Sequence, residues 1–101
     1  MRNCGLEENE LQIINSVFAR HPNISEVKIF GSRAKGNFRS NSDVDLALFG
    51  KIDYLEAEEI AMKLDELDLP YLFDVKIFDK ITNEDLRNHI NRVGIFLYLK
   101  P

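Results

Sequence analysis

The 101-residue chain has one cysteine, which excludes a disulfide framework and a zinc site built on cysteines. It also lacks any apolar run near the roughly 20 residues that a membrane-spanning helix needs. The opening residues MRNCGLEENE are acidic and carry no apolar core of the signal-peptide kind, so neither a secretory leader nor membrane attachment is expected. Basic excess is missing too. Thirteen Lys and Arg stand against seventeen Asp and Glu, for a formal net charge of -4 and a pI of about 5.1. That balance disfavours a grip on extended DNA or RNA. There is no internal repeat and no linker rich in Gly, Ser or Pro. With 45% apolar and 30% charged residues, the chain reads as one cytoplasmic globular domain, residues 1–101, around a single core.

The charge is unevenly distributed. From Ser32 to Ser40 the chain carries Arg33, Lys35 and Arg39 and no acid, whereas Asp53 to Asp68 holds seven acids and one lysine. A short cationic loop in an acidic protein suits a small anion better than a polymer, although such loops are also commonly just solvated. The acidic stretch fits either a solvated helix face or a surface for a basic partner.

Hydrophobic periodicity predicts a helix from Leu6 to Arg20, stopped by His21-Pro22-Asn23, and a strand from Ile24 to Phe30 ended by Gly31. Ser32 to Ser42 reads as a loop long enough to hold a short helix. A second strand covers Asp43 to Phe49. An acidic helix follows from Ile52 to Leu67, with Leu55, Ile60, Leu64 and Leu67 on its apolar face, and a third strand from Tyr71 to Phe78. Thr82-x-x-Asp85 resembles a capping box opening a last helix that runs to Arg92. Gly94 to Leu99 fits an extension of that helix and a short strand equally. The loop between the first two strands is too short for a parallel crossover, so they are expected to pair antiparallel. The fold class is therefore α+β, a mixed sheet with helices packed on one side.

Asp43 and Asp45 stand two apart in a strand, so both carboxylates project from one face. Repelling carboxylates shift their pKa values or bind a cation, and Mg2+ is commonly held by one or two carboxylates plus substrate phosphates. Taken alone, the pair fits a water-facing sheet edge as well. Asp74 interrupts an apolar run, where a charge is costly unless paired. If its strand neighbours the second, three carboxylates converge, as two-metal phosphoryl chemistry requires. The plainer alternative is an exposed Asp74–Lys76 pair. Gly31-Ser32-Arg33-Ala34-Lys35-Gly36 adds a glycine turn directly after a strand, with amides, a hydroxyl and cationic side chains for a phosphate. It is neither a Walker A loop nor a GxGxxG, and by itself it is an ordinary turn.

The combination VKIFGSRAKGNFRSNSDVDLALF, with FDVKIF supplying the third acid, resembles the DNA polymerase beta-type nucleotidyltransferase superfamily. Within it, the likeness is to the minimal nucleotidyltransferases, and it covers nearly the whole chain. The resemblance implies a nucleoside triphosphate, ATP in the first instance, with its phosphates at Gly31 and Ser32 and Arg33 close by. It implies two Mg2+ ions at Asp43, Asp45 and Asp74, with Asp74 a metal ligand or the base for the acceptor hydroxyl. AMP would be transferred to a hydroxyl on a partner protein, a small helical HEPN protein for which the chain acts as antitoxin. With no second domain expected, the acceptor surface would come from that partner or from a second copy in a homo-oligomer.

Two other readings stand beside this one. One is a non-catalytic module that binds nucleotide or occludes its partner, motivated by the apolar cluster Phe96, Tyr98 and Leu99, which otherwise reads as core. The other is a small-molecule, aminoglycoside-type transferase, for which the chain looks too short to build the pocket. Cys4 is expected to be inert in a frayed terminus, His21 to cap a helix end, and His89 to lie exposed on the last helix.

Overall fold

The structure is a computed structural model and describes residues 4–39 and 42–101. Met1 to Asn3 of the acidic N-terminus, and Ser40 and Asn41 of the cationic loop, lie outside the described residues. The chain runs α1 (Glu8–Phe18), β1 (Ile24–Phe30), α2 (Ser32–Lys35), β2 (Val44–Gly50), α3 (Tyr54–Asp65), β3 (Phe73–Ile77), a 3-10 turn (Phe78–Lys80), α4 (Glu84–Val93) and β4 (Ile95–Leu99). The sheet order is β3-β2-β1-β4. β1 is antiparallel to both β2 and β4, and β2 is parallel to β3 across the α3 crossover, so the sheet is mixed as expected.

Strand alternation sorts the side chains into two faces. Val27, Ile29, Val44, Leu46, Leu48 and Ile77 face the main core, where Leu11, Ile14, Val17 and Phe18 of α1 and Ala57, Ile60 and Leu64 of α3 cover them. Phe30 and Ala47 point to the opposite face, where they pack with Phe78 and with Ile90 of α4. The helices are thus not all on one side: α1 and α3 share a face and α4 takes the other. The sequence reason is the second apolar set, Phe30, Ala47 and Phe49, on strands whose remaining residues on that face are polar.

Local chemistry moves several boundaries. Asp53 accepts the Glu56 N–H at 2.8 Å and caps α3, which therefore starts at Tyr54 rather than Ile52. Leu55 then falls outside the Ala57–Ile60–Leu64 stripe and is exposed rather than facing the core. Asn83, not Thr82, caps α4: its side-chain oxygen accepts the Leu86 N–H at 3.0 Å, and the helix starts one residue later than a Thr82 cap would set it. Gly94 donates to the Ile90 carbonyl at 2.9 Å, and a β-carbon there would collide with that carbonyl. The chain therefore leaves the helix at Gly94 and the last segment becomes β4, an edge strand. Phe96 and Leu99 are exposed on it, while Tyr98 packs against Phe18 with ring centroids 5.7 Å apart.

Three single residues also differ from expectation. Cys4 is buried in the core rather than frayed. His21 turns its ring to Glu56 of α3, Nδ1 to Oε2 2.9 Å, instead of capping its own helix. His89 is half-buried.

Candidate active site

β1 ends at Phe30, paired with Asp45 of β2, and Asp45 is in turn in register with Asp74 of β3. Partners in register on adjacent strands share a face, so Asp45 and Asp74 stand side by side about 5 Å apart along the hydrogen-bonding direction. Asp43 lies one residue before β2 and close enough for its charge to act on Asp45. Burial, then the charges of Asp74 and Asp43, push the Asp45 carboxyl above its ordinary range, against the opposing pull of Lys76 and Arg33. Asp74 also meets Lys76 at 3.7 Å across an exposed surface, so the plainer pair is present within the cluster.

The glycine turn sits directly against this patch. Gly31 has φ 76° and ψ -153°, a region that residues with a β-carbon avoid. A β-carbon built there would overlap the Asp45 carboxylate. Glycine is thus required twice, by backbone conformation and by close approach. Immediately after it, α2 begins at Ser32, where the first amides of a helix lack intrahelical acceptors. The Ser32 carbonyl accepts from Gly36 and Asn37 at 3.0 and 3.2 Å. Among the described residues, neither its hydroxyl nor its amide takes a protein partner, so both are open to a phosphate.

Arg33 has a different place from the one its sequence position suggests. It is 1% exposed. Its guanidinium donates to the Cys4 carbonyl at 3.0 Å and to the Ser42 carbonyl at 2.9 and 3.2 Å. It also lies 5.1 Å from the ring centroids of both Phe38 and Tyr71. The side chain ties the N-terminal segment to the residue before Asp43 and is turned inward. No local pattern in the sequence could reveal this, because Cys4 and Tyr71 are distant along the chain.

The structure adds a residue that the sequence reading placed in solvent. The Gly31 N–H donates to His89 Nε2 at 3.2 Å, and the imidazole stands edge-on to Phe30. One signal was available: Leu86, His89, Ile90 and Val93 recur at helical spacing, which puts His89 on the packed stripe of α4.

Among the described residues, no three His, Cys, Asp or Glu side chains come together closely enough to hold a metal ion by themselves, the three aspartates included. The donor set nevertheless fits Mg2+, which binds through one or two carboxylates and completes its shell with water and substrate phosphates. Asp43 and Asp45, with Asp74 beside them, offer the hard oxygen donors and the mutual repulsion that a divalent cation relieves.

Comparison with known proteins gives the family. Residues 12–101 match the family described as Polymerase beta, Nucleotidyltransferase. The chain is 30% identical over 97 residues to the "Probable protein adenylyltransferase MntA" of Haemophilus influenzae, covering 94% of this chain and 84% of that protein. A toxin-antitoxin crystal structure with AMP-PNP superposes with a TM-score of 0.74 at 22% identity, over 89% of this chain and 73% of the other. A Shewanella oneidensis complex of a tri-AMPylated HEPN toxin with its MNT antitoxin gives a TM-score of 0.61 at 18% identity, over the same 89% and 73%. The chain belongs to the polymerase beta nucleotidyltransferase family, in its minimal, MntA-like form.

Proposed function

We propose that this chain, acting as a single nucleotidyltransferase domain, transfers AMP from ATP to a hydroxyl group on a protein partner. In that role it is a cytoplasmic antitoxin for a small helical HEPN toxin. The observation that carries the reading is the glycine turn pressed against Asp45, with Asp74 in register beside it. Phosphate donors and carboxylates lie within one reaction centre. The similarity to MntA and to complexes of MNT antitoxins supports the choice of adenylyl group and partner.

In this mechanism the Ser32 amide and hydroxyl hold the phosphates beside Gly31. Arg33 keeps the loop in place from within and does not touch the nucleotide. Asp43 and Asp45 would hold Mg2+, with Asp74 contributing to a second ion. Such ions, when bound, screen the triphosphate and polarise its α-phosphate. The acceptor hydroxyl oxygen forms a bond to the α-phosphorus as the bond to the β-phosphate oxygen breaks, and pyrophosphate leaves with that electron pair. The hydroxyl proton passes to a carboxylate. Asp74, exposed on edge strand β3, is assigned that role.

The test supplies purified protein and Mg2+ with each of four α-phosphate-labelled nucleoside triphosphates, in lysate of the source cells. Asp45→Asn is run alongside. Label is expected on one discrete protein, from ATP, with the unaltered chain only. Equal labelling by Asp45→Asn would remove the carboxylate assignment, and label from another nucleotide would correct the base. A second reading, an occluding module, is favoured by Phe96 and Leu99, which are 55% and 68% exposed on edge strand β4. Under that reading Asp45→Asn binds and silences the partner as well as the unaltered chain does, and no label is transferred.

A further inference from the structure

The contact between the last helix and the glycine turn has no part in the chemistry above, yet it reaches the most constrained residue of the site. Gly31 sits where the chain passes between β1 and the Asp45 carboxylate, in a conformation closed to other residues. Its N–H donates to His89 Nε2 at 3.2 Å. An acceptor nitrogen carries no proton, so the hydrogen bond fixes the neutral tautomer protonated at Nδ1. Phe30 holds the ring from the side, with centroids 6.1 Å apart and planes at 80°. The imidazole is therefore anchored by packing on β1 and aimed at a single backbone amide.

We propose that His89 is a positioning residue of the nucleotide site, whose neutral imidazole clamps the Gly31 amide and so sets the spacing between Ser32 and Asp45. This rests on the nucleotide reading above and deepens it. The clamp takes the Gly31 amide out of the set available to a phosphate, leaving Ser32 as the first donor. It also lets α4 report on the turn. A protonated imidazole would oppose one N–H with another and release Gly31. The charged groups around the ring are Lys35 of α2 and Arg92 of its own helix, with exposed Asp85 one turn earlier, while β1 presents the Phe30 ring. Burial first, then Lys35 and Arg92, hold the imidazole below its ordinary range. The clamp accordingly stays closed at neutral pH and opens on acidification.

The test compares the unaltered chain with His89→Ala and His89→Gln, using Mg2+ and the α,β-methylene analogue of ATP, whose α–β linkage is not cleaved. Glutamine keeps an acceptor at similar reach and does not titrate. At pH 7.5, His89→Ala should bind the analogue about tenfold more weakly, the loss of about one hydrogen bond. His89→Gln should stay within about threefold of the unaltered chain. Lowering the pH through the depressed titration range of the ring should weaken the unaltered chain towards His89→Ala and leave His89→Gln unchanged. Full affinity in His89→Ala, or an acid loss in His89→Gln equal to that of the unaltered chain, would overturn the proposal.

The ligand-free protein separates the two readings. There the Gly31 amide resonance should titrate together with the His89 ring, and should stop doing so in His89→Gln. A Gly31 amide indifferent to His89 overturns the clamp even where the nucleotide binds. A titrating amide with no analogue bound at any pH overturns the nucleotide reading and, with it, the role assigned to His89.

Discussion

At the scale of single residues, the site sets Asp45 against Arg33. The Asp45 carboxyl is pushed up by burial and by two neighbouring acids, so its ionised form is less favourable in the folded chain than in the unfolded one. Sign follows directly. A raised folded pKa means that ionised Asp45 costs stability at neutral pH, a cost relieved as pH falls through that value. Asp45→Asn is therefore expected to melt at a higher temperature than the unaltered chain in Mg2+-free buffer. It should also lose at least about a hundredfold in transfer, the scale of a misplaced acid-base or metal-ligating group. Added Mg2+ should raise the melting temperature of the unaltered chain and leave that of Asp45→Asn nearly unmoved. Thermal melts with and without Mg2+ check all but the rate. Arg33 behaves in the opposite way. Replacing it with Met leaves the Cys4 and Ser42 carbonyls without their donor and removes a cation from between two rings. Urea denaturation of Arg33→Met should show a loss of about 2–4 kcal/mol, from buried groups left unsatisfied. A loss below about 0.5 kcal/mol would restore Arg33 to a surface role at the phosphates.

At the scale of elements, caps and alternation decide what the chain makes of its hydrophobic pattern. Asn83→Ala should cost about 1 kcal/mol by removing the α4 cap, while Thr82→Ala stays within about 0.5 kcal/mol. Chemical denaturation of the two variants tests whether the cap lies at 83. That difference also shows how far a sequence reading extends. The run Val-Asp-Leu-Ala-Leu-Phe marks β2, and period two sets Asp45 on the face opposite Val44 and Leu46, because that period is a property of the strand itself, whereas Asp43 lies just before it. The position of Asp74 beside Asp45 needed only the further step of adjacent strands. By contrast, β4 was undecidable locally: Ile95 to Leu99 is apolar throughout, and pairing with β1 determines its conformation. α4 lies on the carboxylate face because Phe30, Ala47 and Phe78 assemble from three separate segments. Arg33 and His89 were misplaced for the same reason. Their partners, Cys4, Tyr71 and Gly31, become neighbours only when the sheet closes.

For the whole molecule, the response to acid combines groups that pull in opposite directions. His89 is held below its ordinary value of 6.5 by burial and by two cations. The unfolded chain therefore takes up this proton first as pH falls, and stability present above about 6.5 is lost below it until the folded imidazole is protonated as well. Asp45 acts with the other sign. Its folded pKa lies above 3.8, so the folded chain is protonated first and recovers stability as pH falls through that range. A third site, Tyr71, matters only in alkali. Its hydroxyl donates to Glu10 Oε1 at 2.8 Å, and burial, then that bond, hold its pKa above 10.0. Stability contributed there is intact below pH 10.0 and falls as pH rises through the ordinary tyrosine range, because the unfolded chain ionises first. Urea midpoints measured between pH 4 and pH 8 should thus fall on acidification from the upper end for the unaltered chain. The fall should be smaller for His89→Gln, which keeps an acceptor for Gly31 without a titrating group. Asp45→Asn should keep the fall near pH 6.5 and lack the recovery. If His89→Gln and the unaltered chain gave superimposable curves, the imidazole would carry no proton linkage, and the acid sensitivity of the molecule would have to originate away from the glycine turn.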